Sequence, residues 1–146
     1  MKKTLLAIAL MASMAGVSAK TVATVNGTKI DSAVIDRQVS DLKKQSNGQI
    51  KDSPELRERL KQGAIVHTVI VQEAKKRKLH EDKDYKNFIA EAKADADKRG
   101  ESKKSTFKQD FEDFKENLLE QAFAMDVLKK NPVTEQDVRK EYNQIS

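Results

Sequence analysis

The chain has 146 residues, a formal net charge of +5, charged side chains at 35% of its positions and no cysteine. This length suits one domain of modest size, and the absence of cysteine excludes disulfide bonds and thiolate metal sites. Acidic and basic residues alternate along the predicted helices, so the sequence predicts no one-signed patch and no nucleic-acid partner.

The first 19 residues have the pattern of a secretory signal peptide. Two lysines precede an apolar run from Leu5 to Val17, and small residues lead up to Ala19. This order is typical of a leader that is removed on export. The alternative is a membrane anchor, but the run is shorter than the ~20 apolar residues that span a bilayer. We therefore predict cleavage between Ala19 and Lys20, no stable membrane insertion, and a location in the periplasm or outside the cell.

The remaining chain, residues 20–146, is predicted to form one mainly α-helical domain that begins with a short β-hairpin. Residues 21–30 contain two β-prone stretches on either side of Asn26-Gly27, the pair that most readily forms a tight hairpin turn. About five helices follow, with bounds set by capping residues and by glycine or proline stops. The first runs from Asp31 to the stop at Ser46-Asn47-Gly48, and the second from Ser53 into the charged run Lys75-Lys76-Arg77-Lys78. The other three are predicted at about Asp82 to Arg99, about Thr106 to Lys130, and from Thr134 through Ile145.

The second predicted helix is apolar on most of its sides. Leu60, Ala64 and Val71 lie along one stripe, and the apolar residues between Ile65 and Ile70 widen that stripe. A helix of this kind is normally buried by neighbours on several faces. We therefore expect it to be the central element of the domain, with the other helices packed around it.

The sequence shows no constellation of residues for catalysis. Its two histidines, His67 and His80, lack zinc-ligand spacing, and there is no nucleophile motif or glycine-rich phosphate loop. His67 lies on the apolar stripe of the second helix. We expect a hydrogen-bonded packing residue there in preference to a ligand or general base, because it is the only titratable group on that stripe. His80 lies in a polar turn and is expected to be solvated. No catalytic residue, metal ligand or cofactor is predicted.

Three phenylalanines of the fourth predicted helix are candidates for a binding groove. Phe107, Phe111 and Phe114 recur at helical spacing and therefore share one face. Aromatic residues at this spacing belong to a core more often than to a groove, so we favour a core position for them. The alternative is that they line an apolar cleft that takes up a ligand.

Three segments, read in order, resemble the N-terminal module of the parvulin-type exported foldases, the SurA and PrsA group. Residues 22–31, VATVNGTKID, are similar to the opening of that module, and residues 69–79, VIVQEAKKRKL, are similar to its central helix. Residues 132–142, PVTEQDVRKEY, resemble the helix that leads from the module into the catalytic parvulin domain. The resemblance implies a SurA N-terminal-domain-like fold and an ATP-independent, chaperone-like protein that binds unfolded or nascent exported proteins.

The sequence also departs from this family, because no parvulin-like stretch follows the last segment. No residue of the isomerase site is therefore carried over to this chain. The leading expectation is a binding module, and two alternatives stay open: the N-terminal part of a peptidyl-prolyl isomerase whose catalytic domain is missing, and an oligomeric periplasmic holdase of the Skp type. In the family a helix after the parvulin domain often completes the N-terminal module, so the resemblance further implies uncovered apolar surface on this chain. Three outcomes stay open: a mobile fold, a second copy or another partner that fills the gap, or a wider groove for the bound protein.

Overall fold

The computed structural model describes residues 20–132, 134, 136, 139 and 140. The predicted signal peptide, up to Ala19, lies outside the described residues, and so does most of the predicted fifth helix. Two strands, four α-helices and two short 3-10 helices are described: β1 (Thr21–Val25), β2 (Thr28–Asp31), α1 (Ser32–Gln45), α2 (Pro54–Lys76), a 3-10 helix (Leu79–Glu81), α3 (Lys83–Lys98), a second 3-10 helix (Glu101–Lys103) and α4 (Phe107–Lys130).

The predicted β-hairpin is confirmed. Strands β1 and β2 pair in antiparallel fashion, with Val25 opposite Thr28 at the turn. Asn26 and Gly27 have φ values of 47° and 82°, which are the positive angles of the turn that matches the twist of two paired strands. The prediction of a mainly α-helical fold with an N-terminal hairpin is also confirmed.

Capping residues were predicted for the first two helices at Asp31 and Ser53, and the structure tests both. Ser53 caps α2, since its Oγ accepts a hydrogen bond from the Leu56 backbone N–H at 3.1 Å and Pro54 occupies the first helical position. Asp82 caps α3 through its side chain. Asp31 precedes α1, but its side chain makes no capping hydrogen bond; its carboxylate accepts a hydrogen bond from the Thr21 hydroxyl at 3.5 Å.

Helix α2 is the central element, as predicted. Its first half packs with the hairpin and α1 around a core of Ile30, Ile35, Val39 and Ala64. Its second half packs with α4 around a second core of Val71, Ala74 and Leu119. One side of this helix has no neighbour among the described residues, and there Val66 and Val69 are 56% and 45% exposed.

Gln72 of α2 fixes the position of the hairpin. Its amide nitrogen donates hydrogen bonds to the Val25 carbonyl oxygen at 2.8 Å and to the Thr28 hydroxyl at 2.9 Å. Its carbonyl oxygen accepts a hydrogen bond from the Asn26 amide at 2.9 Å. A two-stranded hairpin is only marginally stable alone, so these three bonds and the shared core hold it on the helices.

The two longest helices, α2 and α4, run in the same direction. His67 of α2 contacts Glu116 of α4, and ten residues further on Arg77 forms an ion pair with Asp126 at 3.0 Å. Helix α3 connects them and therefore runs antiparallel to both. Among the described residues, no helix is both long and apolar enough to cross a bilayer.

The Ser53 cap gives a first testable prediction. Ser53→Ala removes the acceptor for the Leu56 N–H, and we expect the free energy of unfolding to fall by about 1 kcal/mol. Urea denaturation followed by far-UV circular dichroism measures this change. Ser40→Ala, at an exposed position inside α1, is the matched control, with an expected change below about 0.5 kcal/mol. Equal losses in the two variants would contradict the assignment.

Candidate functional site

A continuous apolar surface lies between α3 and α4, and we call it the aromatic face. It consists of three adjoining depressions that run along the two helices. The first depression lies beside Phe107 and Phe111, the third lies beside Leu118 and Met125, and the second lies between them. Phe114 and Ala92 line both the first and the second, and Phe88 lines both the second and the third. The apolar residues that line the three depressions are Leu79, Tyr85, Phe88, Ala92, Ala96, Phe107, Phe111, Phe114, Leu118, Ala122 and Met125.

Four phenylalanine rings form a ladder along the aromatic face. The ring centroids are 5.3 Å apart for Phe107 and Phe111, and 5.8 Å apart for Phe111 and Phe114. Phe88 of α3 continues the ladder at 6.2 Å from Phe114. Pairs at these distances stabilise one another, so the rings form a cohesive strip.

Much of this strip is open to solvent. Phe88 and Phe114 are 51% and 37% exposed, and Met125 at the far end is 59% exposed. Phe107 and Phe111 are half-buried. An exposed patch of several large apolar side chains is unusual on a protein that works alone, and it typically marks an interaction site.

The favoured sequence interpretation of the three phenylalanines is therefore wrong. They line a groove, which was the alternative, because the opposite side of α4 faces α2. That inner side carries Leu119, which is 1% exposed, and Phe123, which packs on the second core. Phe88 was not predicted at this site, since nothing in the sequence around α3 shows that its ring contacts Phe114.

Lysine side chains cover part of the ladder at its first depression. The Lys93 Nζ lies 5.5 Å from the centroid of Phe107, and the Lys115 Nζ lies 5.9 Å from that of Phe111. An ammonium group at this distance is attracted to the ring face. These contacts keep charge and water close to the rings while the apolar surface stays accessible.

A second cluster, the His67 clamp, consists of His67, Glu116 and Glu120 and lies between α2 and α4. The His67 Nδ1 is 2.7 Å from a Glu120 carboxylate oxygen, and its Nε2 is 3.2 Å from a Glu116 carboxylate oxygen. The hydrogen bond to Glu116 and the further contact with Glu120 outweigh partial burial and raise the pKa of His67 to about 9. The same bond lowers the pKa of Glu116.

The expectation that His67 is the only titratable group at its position is wrong, because α4 brings two carboxylates to it. The expectation of a hydrogen-bonded packing residue agrees with the structure. A protonated imidazole that donates both N–H groups has no free lone pair to accept a proton, and the His67 clamp joins two helices through these two hydrogen bonds.

His80 is less solvated than expected. It lies in the first 3-10 helix, where its side chain is 37% exposed and its Nε2 is 3.8 Å from a Glu81 carboxylate oxygen. Its Nδ1 is buried without a hydrogen-bond partner. The structure does not bring His80 together with His67, and the described residues contain no group of histidine, aspartate and glutamate suited to hold a metal ion.

A polar cleft lies on the other side of α4, between the hairpin, α1 and α2. Its lining includes Lys29, Gln72 and Lys75. Arg37 of α1 and Asp113 of α4 also line it and form an ion pair at 3.0 Å, and His67 and Glu116 of the clamp line it as well. The ion pair and the hydrogen bonds of Gln72 to the hairpin already use many of the polar groups in the cleft. We therefore interpret the cleft as the junction at which the helices and the hairpin pack together, and not as a ligand site.

Comparison with known proteins finds no matching family profile, no matching curated protein and no matching solved structure. Functional inference therefore depends on the residues and their geometry.

The His67 clamp predicts that stability declines as the pH rises toward 9. His67 in the unfolded chain titrates near 6.5, so below that value both states hold the proton and the clamp contributes fully. Between about 6.5 and 9 only the folded state keeps it, and the free energy of unfolding falls. We expect a fall of roughly 1 to 2 kcal/mol, because solvent screens this half-buried site.

Urea denaturation at about pH 6 and about pH 9.5 measures this decline. His67→Gln is expected to abolish the excess decline, because the variant has no imidazole to titrate. His80→Gln is the matched control and is expected to decline as the unaltered protein does. A His67→Gln variant that declines just as steeply would show that another group carries the effect.

Proposed function

We propose that this protein is an exported, ATP-independent, chaperone-like module that binds unfolded segments of other secreted or envelope proteins. One observation carries the proposal: a continuous, solvent-exposed strip of stacked phenylalanine rings lies between α3 and α4. The resemblance of the hairpin and α2 segments to the parvulin-type foldases supports the same function, as does the leader-like pattern of residues 1–19.

The aromatic face suits weak and sequence-tolerant binding. Its rings offer apolar contact to any aliphatic or aromatic side chain that an unfolded chain exposes. Flexible side chains such as Met125 allow the surface to adapt to different segments. An extended segment loses conformational freedom when it docks, so the net affinity stays low and release needs no nucleotide.

The charged residues around the aromatic face serve solubility. Arg99 is ion-paired with Asp95 and Glu101 at the edge of the first depression. Lys104 and Asp110 line the same depression. With both signs of charge present, the rim remains hydrated while the rings bind an apolar segment, and it rejects neither basic nor acidic segments.

Two other functions remain candidates. If the chain is the N-terminal part of a peptidyl-prolyl isomerase, its catalytic centre lies on a different stretch of polypeptide. A proline-peptide isomerisation assay separates this candidate from a binding module, since we expect no catalysis by residues 20–146. The Skp-type holdase is less well supported, because the described helices pack around α2 and not as extended coiled-coil arms.

Suppression of aggregation tests the proposed function. Insulin reduced with dithiothreitol is a suitable aggregating protein, because this chain has no cysteine that the reductant could alter. We expect the chain from Lys20 onward to delay light scattering at a several-fold molar excess. The double substitution Phe88→Ser and Phe114→Ser removes two exposed rings and is expected to abolish most of the delay.

Val66→Ser with Val69→Ser is the matched control for this experiment. Both valines are exposed to a similar extent on the outer side of α2, so the pair removes apolar surface away from the aromatic face. We expect this control to suppress aggregation as the unaltered chain does. No suppression by the unaltered chain, or equal loss in both double variants, contradicts the proposal.

A further inference from the structure

The aromatic face is acidic, although the chain as a whole has a net charge of +5. Among the described residues, the side chains that line its three depressions include seven carboxylates and three cations. Four of these carboxylates are ion-paired or cap α3. The other three, Asp84, Glu91 and Asp110, form no ion pair with another described residue. The two lining cations without an ion pair, Lys104 and Lys129, lie at opposite ends of the face.

The negative charge is concentrated on the α3 side of the aromatic face. Asp84, Glu91 and Asp95 are seven and four residues apart, so they recur on one side of the helix, which also carries Phe88. All three carboxylates line the depressions, and no cation of α3 does. A segment that docks on the rings therefore has carboxylates along one of its edges.

The lysines that lie over the rings do not cancel this charge, because each is already paired. The Lys93 ammonium, above Phe107, donates hydrogen bonds of 2.7 and 2.8 Å to the Asp97 carboxylate. The Lys115 ammonium forms an ion pair of 2.6 Å with Glu112. Neither pair adds net charge to the aromatic face, so the surplus of carboxylates remains.

We infer that the aromatic face preferentially binds apolar segments that also carry lysine or arginine. This inference rests on the proposed function and names the class of segment that the face selects. Apolar side chains of the segment contact the rings, and its basic side chains reach the carboxylates of Asp84 and Glu91. These two residues are roughly 10 Å apart along α3, a distance that about three residues of an extended segment span. The acidic edge adds a preference and excludes no class of segment.

The preference is expected to be modest and dependent on salt. An ion pair between exposed groups contributes little, so two or three of them make a basic segment bind about five- to tenfold more tightly than an acidic one at low salt. Dissolved ions screen exposed charges. At about 0.5 M salt we therefore expect the preference to fall below about twofold.

Fluorescence anisotropy with two labelled peptides tests the inference. The basic peptide is KLAFKALFAK and the acidic peptide is ELAFEALFAE, with both ends blocked so that only the side-chain charges differ. We expect the chain from Lys20 onward to bind the basic peptide more tightly. General attraction to a chain of positive net charge favours the acidic peptide, so the expected order requires a local acidic surface.

Asp84→Asn with Glu91→Gln removes two unpaired carboxylates beside the rings and is expected to reduce the preference below about twofold. Asp41→Asn with Glu55→Gln is the matched control. All four positions are exposed, and Glu55 lies in the first turn of α2 as Asp84 lies in that of α3. The control removes the same charge and is expected to keep the preference. Far-UV circular dichroism verifies that each variant is folded.

The ring variant locates the binding site. Phe88→Ser with Phe114→Ser is expected to weaken the binding of both peptides at least about tenfold, because both peptides have the same apolar residues. Binding that is unchanged in this variant places the site elsewhere and overturns the inference.

Three further results overturn it. The acidic peptide binds as tightly as the basic one, or more tightly. The preference persists in Asp84→Asn with Glu91→Gln, or falls equally in the control. Neither peptide binds, as happens if another segment of this chain or a second copy covers the rings. If the chain still suppresses insulin aggregation in any of these cases, the inference fails and the proposed function stands; if it does not, both fail.

Discussion

The contact between α2 and α4 determines which surfaces of this protein face inward. Leu119 inserts beside Val71 and Ala74 to form the second core, and the His67 clamp fixes the same two helices through two hydrogen bonds. One side of α4 packs against α2. The opposite side of α4 carries Phe107, Phe111 and Phe114, and these residues therefore face away from the second core. The aromatic face is thus a direct result of how α4 packs.

The structure spreads its stability over two small cores that share one helix. Among the described residues, Leu119 is the only large side chain that is less than 2% exposed. With so little apolar volume in each core, polar links between elements matter more than usual, such as the Gln72 bonds to the hairpin and the ion pair between Arg77 and Asp126. Local opening is expected to be easier in such a domain than in one with a single large core, which suits a surface that adapts to varied segments.

Element bounds were predictable from the sequence because they depend on neighbouring residues. Asn26-Gly27 sets the hairpin turn, and Ser53 with Pro54 starts α2. The orientation of the helices was not predictable in the same way. Helix α4 has two apolar stripes, one through Leu119 and one through Phe114, and helical spacing does not tell which of them is buried. Contacts across long sequence separations, such as those of the His67 clamp, were missed for the same reason.

Met125 gives the aromatic face a chemical sensitivity of its own. It is the only methionine of the chain after residue 19, and it is 59% exposed in the third depression. Oxidants convert a thioether to a sulfoxide, which is polar and disrupts apolar contacts. In an oxidising environment, one end of the aromatic face would therefore become polar and hydrated, while neither core would change. A methionine sulfoxide reductase would restore the thioether and with it the apolar surface.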